Sequence, residues 1–199
     1  MVYWISYVII KLLSKIYFPC TFYGKEHLPR KGAFLIASNH LSNLDPIILG
    51  ISLWRRFSYI AKDSLFKNKV LSFFLFQVGA FPIKRDTADF RAIRESLRRL
   101  RLGCPLILFP EGTRGVGREK KPQAGIGLIA GKSQLPVIPA LIEGSDQVLP
   151  PKARKLKRHQ VIIKFGPPIH FSPQQSYEEM TQEIMNHIYY LSSLPVTKK

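Results

Sequence analysis

Short apolar runs rich in β-forming residues recur along the chain, and several are separated by segments of helical pattern. The runs are Ala33 to Ala37, Phe57 to Ala61, Ala80 to Ile83, Pro105 to Phe109, Val137 to Ile142 and Val161 to Phe165. Each reads as a strand. Strands that alternate with helices call for an α/β layer fold with a mostly parallel, mixed sheet flanked by helices.

The helical segments have their own signals. Pro46 to Trp54 is one. Asp89 to Leu102 is clearer: Phe90, Ile93, Leu97 and Leu100 form an apolar stripe, Arg91, Arg94, Arg98 and Arg101 lie opposite, and Gly103 is a stop. Gly125 to Lys132 reads as a short helix. The last helix runs from about Ser176 to Leu191, opened by a Ser176/Glu179 capping-box pattern and lined by Met180, Ile184, Ile188 and Leu191. Pro150 to Arg158 is a polar, basic loop.

The first residues, Met1 to Phe18, are apolar and aromatic, with Lys11 and Lys15 on one helical face. They are fewer than the roughly 20 needed to span a bilayer, and Trp and Tyr favour its interface. The expectation is a membrane-associated helix over 1–19, lying on or dipping into a membrane, ahead of one domain over 20–199. The alternative is a helix packed on its own domain, and a marginal single span stays open.

At 199 residues with a net charge of +17, the surface should attract something anionic: a nucleic acid, an acidic membrane or a phosphorylated small molecule. No DNA- or RNA-binding motif is present, and the aromatics sit in apolar runs rather than in basic strands, so nucleic acid is not the expected partner. Cys20 and Cys104 have no metal-ligand spacing; they suit a reducing compartment, though one disulfide stays open. Gly125 to Ser133 ends in GKS, but a phosphate-binding loop needs glycine where Ile126 stands.

The stretch SNHLSNLDP, residues 38–46, carries the first chemistry. Within one helix His40 and Asp45 would point about 140° apart, so a bend must bring them together. Ser42 and Asn43 are turn formers, Asp45 suits the N-cap of a helix, and Pro46 suits its first position. A carboxylate beside an imidazole fixes its tautomer and stabilises the imidazolium, which makes His40 a general base. The plain alternative is a helix-capping Asp45 and an ordinary loop histidine. No nucleophile elbow exists, and Ser145 reads as a turn residue, so a base here must activate the substrate itself. LILFPEGTRG, residues 106–115, ends a strand in a polar turn, where active sites of α/β sheets gather. Arg114 there could grip a phosphate through two hydrogen bonds, or form a surface pair with Glu111.

Four stretches in this order resemble the motifs of the glycerolipid acyltransferases: HLSNLD, GAFPIKRD, FPEGTR and LPVIPA. The chain is most similar to the bacterial-type acyltransferases that act on 1-acyl-glycerol-3-phosphate. The resemblance implies that His40 deprotonates the free sn-2 hydroxyl of lysophosphatidic acid and that Asp45 orients His40. Lys62 would stabilise the developing oxyanion. Arg85 and Arg114 would hold the substrate phosphate, with Glu111, Gly112 and Thr113 supporting that site. The acyl donor would be acyl-CoA or acyl-carrier protein, with no acyl-enzyme, no metal and no further cofactor. The product would be phosphatidic acid, made at the cytoplasmic face of the plasma membrane. Other lysolipids, including a lyso-ornithine lipid, are alternative acceptors. Arg98, Arg99, Arg101 and the cluster from Lys152 to Arg158 would meet anionic headgroups or an acidic carrier protein. Lys84 departs from the second motif, and many family members carry a longer N-terminal pair of helices.

Overall fold

The computed structural model of the chain describes residues 2–83, 90–112, 125–150, 153 and 155–195. Seven strands form one sheet among them: β1 Cys20–Tyr23, β2 Leu35–Ser38, β3 Ser58–Lys62, β4 Ala80–Ile83, β5 Leu106–Leu108, β6 Val137–Glu143 and β7 Val161–Phe165. Their order is β1-β7-β6-β2-β5-β3-β4. Every neighbouring pair is parallel except β6–β7, which is antiparallel.

The helices are α1 Val2–Tyr17, α2 Asp45–Ser52, α3 Lys69–Gln77, α4 Phe90–Arg101, α5 Gly125–Ser133, the single turn α6 Ser145–Val148, and α7 Tyr177–Ser193. They cover both faces of the sheet. Alternation along β2 shows why: Phe34 and Ile36 face one cluster with α1 and α2, while Leu35 and Ala37 face another with α4, α5 and α7. With no water on either side, the strands read as continuous apolar runs. Burying one such isoleucine or phenylalanine stabilises the fold by about 1.5–3 kcal/mol.

The expected mixed, mostly parallel α/β sheet is present. One strand escaped the sequence reading: β1, whose four residues pair with β7 at an edge. So did α3, whose apolar side chains have no polar counter-face and so no helical periodicity. The α4 stripe needs correction. Phe90 is 70 % exposed, and the buried line is Ala92, Ser96 and Leu100, with Ile93 and Leu97 partly covered. Arg99 also differs from a free surface cation. It donates to Ser58 Oγ at 2.9 Å and to the Gly79 carbonyl at 3.2 Å, and it lies over the Phe81 ring. It pins α4 to the β3–β4 side. Arg98 is paired with Glu95. Ser145 is buried in α6 rather than standing in an open turn.

The GKS sequence closes the C-terminal end of α5, the wrong end of a helix for a phosphate cradle. The glycines of this helix serve packing. A Cβ on Gly127 would lie 1.9 Å from the Tyr177 carbonyl oxygen, so only glycine lets α5 sit this close to α7. Helix α7 has the capping box read from sequence, and its four stripe residues are buried. At its far end the buried Lys164 amine donates to the Leu191 and Leu194 carbonyls, which otherwise end the helix unpartnered.

Candidate active site

The chain leaves β2 through α2 on one face of the sheet and reaches β3. It returns from β5 to β6 through α5 on the other face. The carboxyl ends of the adjacent strands β2 and β5 therefore part their following segments in opposite directions. A crevice at such a point is where α/β sheets place ligands. His40 follows β2, and the turn Phe109 to Gly112 follows β5, so both lie at this switch point.

His40 and Asp45 meet. His40 Nδ1 lies 2.8 Å from Asp45 Oδ2, with the side chains 9 % and 0 % exposed. The bend lies where the turn residues predict, but Asp45 does not cap α2. Leu44 holds the N-cap position without a side-chain cap, and Asp45 is the first helical residue. Its carboxylate reaches back instead. Oδ2 accepts hydrogen bonds from the Leu41 and Ser42 backbone N–H groups at 2.7 and 2.8 Å, as well as from His40. A carboxylate with three donors on one oxygen is fixed in place. Against an ionised carboxylate, which only accepts, Nδ1 is the donor and Nε2 is left to accept.

Two neighbours fix this loop that sequence reasoning did not assign. Asn39 closes a pair of hydrogen bonds with the backbone of Ile142, at 2.7 and 2.8 Å, tying the end of β2 to β6. The Phe109 ring stacks on His40 with centroids 4.1 Å apart and planes 21° from parallel. Phe109 begins the FPEGTR motif, and that adjacency was its only signal. The Ser42 hydroxyl donates to the Leu149 carbonyl at 3.1 Å, holding the loop from the far side.

Glu111 is buried beside this edge, in a turn closed by the Gly112 N–H donating to the Phe109 carbonyl at 3.0 Å. Gly112 has φ of 64°, a conformation that disfavours other residues. Lys62 ends β3 at the same edge, with its side chain exposed and β5 between it and β2. Arg85, Thr113 and Arg114 lie outside the described residues. Among the described residues no group of His, Cys, Asp and Glu is arranged to hold a metal ion.

Beyond the carboxyl ends of β2 and β5 the described residues thus place a buried imidazole in contact with a buried carboxylate. The acyltransferase family profile matches residues 19–143. The chain is 31 % identical over 150 residues to a 1-acyl-sn-glycerol-3-phosphate acyltransferase of Bacillus subtilis, covering 74 % of this chain and 72 % of that one. It is 29 % identical over 154 residues to the chloroplastic LPAT1 of Arabidopsis thaliana, a protein of the same activity name, and spans 43 % of its length. Its fold matches the crystal structure of the LPA acyltransferase PlsC from Thermotoga maritima with a TM-score of 0.71, at 24 % identity, over 96 % of this chain and 81 % of that one. The chain belongs to the acyltransferase family, and it is an acyl-transferring enzyme.

Proposed function

We propose that the chain transfers a fatty acyl group from an acyl thioester to the sn-2 hydroxyl of 1-acyl-glycerol-3-phosphate, giving phosphatidic acid. The substrate assignment follows the names of its relatives in Bacillus and Arabidopsis. The observation that carries the mechanism is the buried 2.8 Å contact between His40 and Asp45.

His40 Nε2 takes the proton of the acceptor hydroxyl as its oxygen attacks the thioester carbonyl carbon. Asp45 stabilises the imidazolium that forms. The tetrahedral oxyanion faces Lys62, whose ammonium offsets its charge. Collapse breaks the C–S bond, and the departing thiolate takes the proton back from His40. Ester and free thiol result, with no acyl-enzyme and no cofactor beyond the donor, acyl-CoA or acyl-carrier protein. Arg85 and Arg114 hold the acceptor phosphate, supported by Glu111, Gly112 and Thr113. A single arginine–phosphate contact contributes about 1.5–3 kcal/mol.

The enzyme works at the cytoplasmic face of the plasma membrane, seated by α1. Tyr3 and Tyr7 turn inward and donate to the Arg55 and Ile51 carbonyls, fixing one face of that helix on the domain. Ile5, Val8, Ile9, Leu12 and Ile16 are exposed on the remainder. Lys11 lies 4.6 Å over the Trp54 ring at the border, an interfacial pairing of aromatic and cation. No helix among the described residues is long and apolar enough to cross a membrane.

The test is a mass-spectrometric transfer assay in detergent, pairing lysophosphatidic acid and other lysolipids with acyl-CoA or acyl-carrier protein. Phosphatidic acid as the main product supports the acceptor assignment. A different acylated lysolipid as the main product replaces it.

A further inference from the structure

Helix α3 is apolar nearly all round, yet none of its nine residues is buried. Val70 is 82 % exposed and Phe73 62 % exposed; Leu71, Phe74 and Phe76 are also exposed, and Leu65 joins them from the preceding turn. A helix of this character in a folded chain is normally covered on every side, by protein or by lipid. Here only Leu75 and Phe66 reach inward to the core, with Phe66 against the Phe76 ring. So large an exposed patch marks an interaction surface.

We infer that α3 is a second membrane-seating element, inserting Val70, Phe73, Phe74 and Phe76 into the interface of an anionic bilayer. Three observations choose a lipid surface over a protein partner. Lys67 and Lys69 stand exposed at the start of the helix, positioned for acidic headgroups, in a chain of net charge +17. Inward-facing residues of α3 and α1 contribute to the same core cluster, so both helices flank the same face of the sheet. Helix α3 also follows β3 after only the short turn Asp63–Phe66, so the segment that leads into it starts at the edge that carries His40. Two apolar elements on one side would hold that edge against the bilayer, where a lysolipid lies. One interfacial contact alone gives marginal, reversible binding, and a second converts it to stable attachment.

The inference rests on the membrane reading of the proposed function, but its test separates the two. Wild type, Phe73→Ser/Phe76→Ser and an α1 variant, Ile9→Ser/Leu12→Ser, are each floated with vesicles of phosphatidylglycerol and of phosphatidylcholine. The α3 variant should bind phosphatidylglycerol vesicles about tenfold more weakly than wild type. It should keep wild-type turnover of lysophosphatidic acid in detergent. Binding lost in the α3 variant but kept in the α1 variant would overturn the role of α1 and leave this inference standing. Undiminished binding by the α3 variant would overturn it. So would a wild-type dimer, without lipid, that this variant breaks into monomers still able to bind vesicles, since a second copy would then cover the face. A probe independent of folding defects is Phe73→Cys in a Cys20→Ser/Cys104→Ser background, carrying a nitrobenzoxadiazole label. Its emission should shift to the blue on phosphatidylglycerol vesicles, and unchanged emission counts against insertion.

Discussion

The Phe109 ring lies flat against the His40 imidazole, with centroids 4.1 Å apart. Asp45 fixes the edge of the imidazole, and Phe109 fixes its plane. The imidazole is thereby held from the start of α2 and from the end of β5, rather than from its own loop alone. Phe109→Leu stays apolar and loses the flat contact. Its kcat should fall about tenfold with KM for the acceptor little changed, because orientation of the base matters in the transition state and not in binding. Steady-state kinetics checks this; an unchanged kcat would show that the stack does no positioning.

Asp45→Asn preserves shape but removes the charge that three donors share. Its side-chain amide can also turn a donor toward His40 and favour the wrong tautomer. The expected loss in kcat is about 10²–10⁴-fold, the usual contribution of a positioned general base. Thermal unfolding should also show a loss of about 1–3 kcal/mol from donors left without their partner. Near-normal kcat in folded protein would reduce Asp45 to a loop anchor.

Gly127→Ala probes the α5–α7 contact, where the new methyl would meet the Tyr177 carbonyl at 1.9 Å. Overpacking of this kind costs about 1–3 kcal/mol even though alanine is the better helix former. Chemical denaturation would measure it, and an equally stable variant would mean that the two helices separate freely.

Glu95 yields a pH prediction. Hydrogen bonds from Arg98, and then Arg99, outweigh the cost of its partial burial and hold its carboxyl down at about 2, against an ordinary 4.5. A depressed carboxylate stabilises the fold above its unfolded value and loses that contribution as pH falls from about 4.5 towards about 2. The pair is partly exposed to solvent, so the contribution is about 1 kcal/mol. Wild type should exceed Glu95→Gln in stability by that amount at neutral pH, and the gap should close in strong acid. A gap that does not depend on pH would assign the effect to packing.

Much of this was legible in the amino-acid chain because the sheet is buried on both faces. Runs such as Val137 to Ile142 have no polar side to disguise them, and the start of α7 is signed by Ser176 and Glu179. The His40–Asp45 meeting was legible too, since Ser42, Asn43 and Pro46 are the residues that turn a chain and start a helix. That Asp45 would not also cap α2 was not. An N-cap and a back-reaching carboxylate have the same local sequence, and three-dimensional competition for its oxygen decides between them. Beyond its place at the head of FPEGTR, Phe109 gave no signal of its contact with His40, because stacking between residues 69 positions apart in the chain depends on strand order, which spacing does not encode. Arg99 looked like part of a basic face because its partners, Ser58 and Gly79, are distant in sequence. Helix α3 was hidden for a different reason: a helix covered by something other than its own chain need not be amphipathic.

The central claim is that the His40–Asp45 pair drives acyl transfer to lysophosphatidic acid. The most direct measurement is phosphatidic acid formation by wild type and His40→Ala, purified alike, shown to be equally folded, and supplied with the same acyl thioester. Wild type should form phosphatidic acid, and His40→Ala should be slower by about 10²–10⁴-fold at saturating substrate. Comparable rates from the two proteins would contradict the account.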